Sequence, residues 1–324
     1  MMIERNTADG SAPLHRLGFG CSNLGSDLGY RDSCALVDAA FDCGYRHFDV
    51  APPYGHGQAE RILGDVLHSV RDELTLVTKV GIAHPRATGG LRAVKGFLGP
   101  LKLLMPSLWA RGASGVRRAS APAGQFGAGA IRASIEESLT RLRTSRVDWL
   151  LLHEVNPENL SPELLGALDH ACIGGLLGGL GIGTSVAASC AIQGGHDSLF
   201  RMVQVEHFWG AFTPALKASP LLVTHRALRS GMDLLKQPGF RQWLELRGWS
   251  GRFGYLLETP AKAADLLVAA ALRNPAPSLV LVSSSRPERI RHFADVARSG
   301  ELDDAAIAFD AACAAFALRC EAVR

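Results

Sequence analysis

The sequence predicts an α/β chain folded as one (β/α)8 TIM barrel over residues 1–324, with a long insertion at 81–129 after the third strand and an extra C-terminal helix. Three observations predict it. Eight short apolar runs alternate with helical signals along the chain. Ionisable residues stand at or just beyond the C-terminal ends of several of those runs. No linker-like stretch splits the chain in two, and no short repeat is present.

In chain order, Leu17 to Cys21 reads as the first strand, and Ser33 caps a helix running to Cys43, with Gly44 ending it. The second strand ends at Asp49, where an aromatic and apolar run breaks into Ala51-Pro52-Pro53-Tyr54-Gly55. A helix follows, with Leu63, Val66, Leu67 and Val70 at helical spacing. Leu74 to Lys79 is the third strand. The rhythm is then lost from Gly81 to Gly129, a Gly-, Pro-, Ala- and Arg-rich stretch with a short apolar helix signal at Leu98 to Trp109. Loops this long are functional or disordered, and this one leaves the barrel beside Lys79. Phe97, Leu98, Leu101, Leu104 and Trp109 give it apolar surface that must cover something. The expectation is a lid over the substrate pocket, flanked by Arg111, Arg117 and Arg118, with an oligomerisation arm as the alternative.

Regularity returns with a helix at Ala130 to Leu142 and a strand from Val147 to His153. Ser161-Pro162 opens another helix. The glycine-rich run from Leu176 reads as a turn plus a buried strand ending near Thr184 and Ser185. Arg201 to Val205, Leu221 to Thr224 and Leu279 to Val282 complete the eight, and Asp303 to Cys320 is an Ala-rich outer helix.

Composition narrows the class. A formal charge of +3 over 324 residues argues against a nucleic-acid footprint. The seven cysteines, at 21, 34, 43, 172, 190, 313 and 320, form no C-x-x-C and read as free thiols. Met1 to Pro13 lacks a signal-peptide core, and no run reaches membrane-spanning length, so a soluble cytoplasmic chain is expected with no membrane partner.

The motifs resemble those of the aldo-keto reductase family, in its sugar-dehydrogenase-like branch. They are Phe48-Asp49-x-Ala51-Pro52-x-Tyr54-Gly55-x-Gly57-x-x-Glu60-x-x-Leu63-Gly64, Thr78-Lys79-Val80-Gly81, Ser134-x-x-x-Ser138-Leu139-x-Arg141-Leu142 and Asp148-x-x-x-Leu152-His153. Order and spacing make the set specific, and it spans nearly the whole chain outside the insertion. The resemblance implies a TIM barrel that binds a nicotinamide cofactor without a Rossmann domain. No G-x-G-x-x-G lies between a strand and a helix.

The chemistry also follows from the residue types. Hydride delivery to a carbonyl leaves charge on oxygen, so a proton donor must be held beside it. A free tyrosine has a pKa near ~10. A nearby ammonium favours the phenolate, and a carboxylate fixes that ammonium. Tyr54 as general acid/base, Lys79 as its tuner, Asp49 as Lys79's partner and His153 as the group orienting the substrate oxygen meet this need. The resemblance assigns the same roles. The bland alternative is a structural Asp49–Lys79 rim pair with His153 packed passively.

For the cofactor, the resemblance puts Ser185 and Gln204 at the nicotinamide carboxamide, although Val186 stands where the family has Asn. His225 takes the place of the family's stacking aromatic, and Arg226 is placed to meet the pyrophosphate. Ser283, Ser284 and Arg286 precede a helix N-terminus suited to phosphate, and Arg289 matches the family arginine at the adenosine phosphate. NADP(H) is the favoured cofactor and NAD(H) the alternative, because Ser283, His292 and Phe293 depart from the family pattern. The substrate class is a small-molecule carbonyl or alcohol: an aldehyde, ketone or aldose. Two other readings compete. One is a cofactor-binding regulatory or sensor barrel with little turnover. The other is a metal hydrolase using His47, Asp49 and His153, for which no completing ligand cluster is found, so no metal is expected.

Overall fold

Eight parallel strands close on themselves in sequence order: β1 (Leu17–Gly20), β2 (His47–Asp49), β3 (Thr75–Val80), β4 (Trp149–His153), β5 (Leu180–Gly183), β6 (Phe200–Glu206), β7 (Leu221–His225) and β8 (Leu279–Val282). The computed structural model describes residues 13–26, 28–82, 124–210, 216, 219 and 221–322. Each strand pairs parallel with the next, and β8 returns to β1 through Leu17↔Val280 and Phe19↔Val282. The helices are α1 (Tyr30–Asp42), α2 (Ala59–Leu67), α3 (Ala128–Leu142), α4 (Pro162–Ile173), α5 (Val186–His196), α6 (Ala227–Leu235), α7 (Pro238–Leu246), α8 (Trp249–Phe253), α9 (Pro260–Arg273), α10 (Pro287–Ser299) and α11 (Asp303–Ala322).

Strand periodicity decides what reaches the rim. Val77, Leu151, Met202, Leu221, Val223, Leu279 and Leu281 form one buried cluster, separate from the larger core that the helices share with the barrel. Side chains on a strand repeat their face every second residue. Two residues beyond Val77 is Lys79, beyond Leu151 is His153, beyond Met202 is Gln204 and beyond Val223 is His225. The apolar lumen therefore carries the polar residues directly on top of it, at the strands' C-terminal ends. On β2, His47 and Asp49 share a face in the same way, and both are buried.

Several boundaries depart from expectation. Ser33 does not cap α1, which begins a turn earlier after Gly29. Ser33 is buried instead, and its hydroxyl accepts the Gly25 N–H at 3.1 Å, so it braces the loop after β1. Gly44, at φ 94°, follows α1 as expected. Ser161 caps α4 by accepting the Leu164 N–H at 3.2 Å, with Pro162 at the first helical position. The roots of the insertion are joined: the N–H groups of Gly124 and Gln125 both donate to the Gly81 carbonyl at 3.0 Å. Phe97 to Trp109, Arg111, Arg117 and Arg118, and with them the lid and the oligomerisation arm, lie outside the described residues. At the barrel's other end Arg16 donates to the carbonyls of Leu272, Asn274 and Pro277, tying the start of β1 to the segment entering β8. No helix among the described residues is long and apolar enough to cross a membrane.

Candidate active site

Asp49, Tyr54, Lys79 and His153 meet on the rim. Tyr54 opens a 3-10 turn, Tyr54–Gly57, just beyond β2. Gly55 makes that turn possible. Its φ is 58°, and a Cβ there would sit 1.9 Å from the Leu24 carbonyl oxygen, so any side chain would push Tyr54 away. Lys79 is 1% exposed. Its Nζ donates to Asp49 Oδ1 at 2.5 Å and to the Val50 carbonyl at 3.1 Å. The same ammonium stands 5.2 Å from the Tyr54 ring centroid. The His153 ring meets Tyr54 edge to face, centroids 6.3 Å apart.

Burial works against the Lys79 ammonium, but Asp49 and then Tyr54 outweigh it, so its pKa stands above the usual lysine value. Lys79 is thus held as an ammonium in the neutral range. Tyr54 differs from expectation. Burial raises the phenol's pKa, Lys79 pulls it down, and burial wins, so the net shift is upward. The expected net lowering does not occur: desolvating a phenolate costs more than one ammonium, already shared with Asp49, returns. Tyr54 stays protonated through the neutral range, the state a proton donor requires. His153 is pushed down to about 3 by burial and then by Lys79, and its Nδ1 has no hydrogen-bond partner among the described residues. It is a neutral imidazole with a free polar atom.

The residues expected at the cofactor fall into two groups. Gln204 and His225 join the tetrad. Gln204 is buried, and its Nε2 donates to Asp49 Oδ2 at 2.9 Å. His225, half-buried at the end of β7, is lowered to about 4 by burial, and it feels the charges of Asp49 and Lys79. Ser185 follows β5 and caps α5, accepting the Ala188 N–H at 3.2 Å. Arg226 adopts left-handed backbone, φ 61°, and pairs with Glu206 at 3.4 Å. The second group surrounds the first turn of α10. Ser283 is exposed, Ser284 Oγ accepts the Arg286 N–H at 3.1 Å, and Arg286 is the N-cap residue. Arg289 lies over Phe293 and reaches the Ala261 carbonyl at 3.3 Å and Asp265 at 3.7 Å. Among the described residues, no contact joins this second group to the tetrad.

Three features escaped the sequence reading. Gln204 is bonded to Asp49. The backbone N–H of Cys21, from β1's end, donates to the Asp49 carbonyl at 2.9 Å. Glu60, 1% exposed on α2, accepts from Thr78 Oγ1 at 2.6 Å and from Arg141 Nε at 2.7 Å. Glu60, Thr78 and Arg141 all stood in the motifs, but nothing in a linear motif shows that separated residues pair. Asp49, a ligand in the metal-hydrolase alternative, is engaged by Lys79 and Gln204.

Comparison with known proteins agrees with this geometry. The chain is 33% identical to D-threo-aldose 1-dehydrogenase of a Pseudomonas species over 195 residues, covering 57% of this chain and 54% of that enzyme. It thus spans about half that relative's length. It is 25% identical to 6-dehydroglucose reductase of Agrobacterium fabrum over 318 residues, 91% of this chain and 93% of the relative. The holo aldo-keto reductase of Bacillus halodurans superposes with a TM-score of 0.67 at 17% identity, covering 92% of each chain. The Aldo/keto reductase family model matches residues 16–207, a span that starts before β1 and takes in Asp49, Tyr54, Lys79, His153 and Gln204. With the barrel and the rim tetrad in place, this match shows that the chain belongs to the aldo/keto reductase family.

Proposed function

We propose that the chain is an NAD(P)-dependent oxidoreductase that interconverts a carbonyl and an alcohol, with an aldehyde, ketone or aldose as substrate. The observation that carries this reading is the buried Lys79–Asp49 pair beneath Tyr54, with a neutral His153 at its edge.

The residues on the rim fit a nicotinamide. Ser185 just beyond β5, Gln204 near the end of β6 and the half-buried ring of His225 at the end of β7 stand on neighbouring strands, and His153 Nδ1 lacks a partner among the described residues. A bound nicotinamide supplies the hydride. In the reducing direction Tyr54 donates its phenolic proton to the oxygen that becomes the alcohol, and Lys79 stabilises the phenolate left behind. Asp49 holds Lys79 in register. His153, neutral, holds the substrate oxygen against Tyr54 without adding a charge that would oppose Lys79. NADP(H) is favoured because Arg289, on the first turn of α10, would meet an adenosine phosphate by exchanging its long 3.7 Å contact with Asp265 for a charge-assisted bond.

The test is oxidation of NADPH and of NADH, followed at the nicotinamide band, across aldehydes, ketones and aldoses. The reading predicts turnover with at least one substrate class and faster turnover with NADPH. Tight cofactor binding with no turnover on any class would contradict it.

A further inference from the structure

The resemblance places Gln204 at the cofactor carboxamide, and the structure gives the NH2 side of its amide a second task. Asp49 has two carboxylate oxygens, and each has one side-chain donor: Oδ1 takes Lys79 Nζ at 2.5 Å, and Oδ2 takes Gln204 Nε2 at 2.9 Å. An ionised carboxylate only accepts hydrogen bonds, so the amide must present its NH2 side to Asp49. All three residues are at most 4% exposed. The bond joins β2 to β6 across the lumen, 155 residues apart in sequence. Gly183 at the end of β5 leaves room for it, since a Cβ at 183 would stand 3.3 Å from Gln204 Oε1.

We propose that Gln204 is a positioning residue of the proton-transfer machinery: it locks the second oxygen of Asp49, so that the carboxylate holds Lys79 in one orientation under Tyr54. The inference rests on the oxidoreductase reading and deepens it. Without the amide, Asp49 Oδ2 is a buried acceptor with no donor, and the carboxylate can rotate to share both oxygens with Lys79. The ammonium then moves relative to the Tyr54 ring, and the proton step suffers while nucleotide contacts elsewhere stay intact. The charged and titratable groups facing Asp49 are Lys79 on β3, Tyr54 beyond β2, His153 on β4, His225 on β7, His47 on β2 and Cys21 after β1. The three histidines stay neutral above pH ~5, and the buried Cys21 thiol is raised well above its ordinary value, so none of them adds a titration in the neutral range.

Two substitutions and one combination test this. Gln204→Leu removes the donor at similar volume. We expect kcat at saturating cofactor to fall by about tenfold or more, beyond whatever change in cofactor Kd, read from protein fluorescence quenching, follows from losing Oε1 at the carboxamide. Gln204→Glu is more discriminating. When protonated, its carboxyl donates to Asp49 as the amide did, and when ionised it repels Asp49. Its kcat should approach that of the parent at acidic pH and decline as pH rises, adding a falling limb where the parent profile is flat. An activity-independent arm uses melting temperature: Gln204→Glu should lose stability relative to the parent as pH rises, and Asp49→Asn added to it should remove most of that loss by leaving one carboxylate against Lys79. If Gln204→Leu weakens the cofactor and spares kcat, Gln204 acts only at the carboxamide and the inference is overturned. The inference also fails if Gln204→Glu follows the parent's pH profile, or if Asp49→Asn gives no rescue. A parent protein without turnover would sink the oxidoreductase reading instead, and the melting arm alone would then decide whether position 204 acts through Asp49.

Discussion

Burial moves Tyr54 and His153 in opposite directions at the rim. Tyr54 is raised because burial outweighs Lys79, so it remains an acid across the neutral range. His153, at about 3, remains neutral over the same range. The proposed reduction requires Tyr54 protonated, which holds at every pH below its raised pKa, and His153 neutral, which holds above about 3. At saturating cofactor, kcat should therefore be flat from about pH 5 to 9, with no inflection near the ordinary histidine value of ~6.5. A clear inflection there would show that His153 titrates in the working range. Asp49, Lys79 and His153 were legible from the sequence because they stand at strand ends, visible as breaks in apolar runs, and Tyr54 because it lies in the turn just beyond one. The direction of Tyr54's shift was not legible. It depends on how deeply the phenol and Lys79 are enclosed, and only the closed barrel fixes that.

Two elements hold the Tyr54 turn against the Lys79 strand. Helix α2 leaves the Tyr54 turn, and its Glu60 bonds Thr78, the residue before Lys79, as well as Arg141 at the end of α3. The helices can approach because Gly64 faces the Arg141 carbonyl oxygen, which a Cβ would meet at 2.4 Å. A buried carboxylate depends on its counter-charge. Arg141→Met should cost about 3 kcal/mol, read from the urea midpoint, and Glu60→Gln added to it should recover part of the loss. A cost below about 1 kcal/mol would mean that Glu60 does not need Arg141. The alternation of elements, their order and most helix ends could be read from periodicity, Gly44 and Ser161-Pro162. Ser33 misled because a serine ahead of an apolar stripe looks like a cap, whereas here its hydroxyl serves the Gly25 N–H. Contacts between elements, such as Glu60 with Arg141 or Gln204 with Asp49, depend on barrel closure and leave no local trace.

Across the whole molecule, closing the barrel buries several imidazoles. His47 and His207 are each lowered to about 4, chiefly by burial, and His47 has no hydrogen-bond partner for either ring nitrogen among the described residues. For His47 the folded pKa lies below the unfolded value of ~6.5, so between the two the unfolded chain binds more protons. Its contribution is complete above that unfolded value and is lost as pH falls through the folded one. The loss amounts to roughly 3 kcal/mol for His47 by pH ~4. The melting temperature should fall between pH 7 and 4.5, and His47→Leu should make that fall shallower; parallel curves would show that His47 is not buried as the neutral base. The same enclosure raises Tyr54, since desolvation of the phenol outweighs the pull of Lys79. The central claim is that Tyr54 is the proton donor on this rim. Tyr54→Phe tests it most directly, with turnover at saturating substrate and cofactor Kd measured on the same preparation. The account predicts a loss of kcat of at least about a hundredfold, with cofactor Kd nearly unchanged. If Tyr54→Phe retains most of its turnover, the proton comes from another group and the account is contradicted.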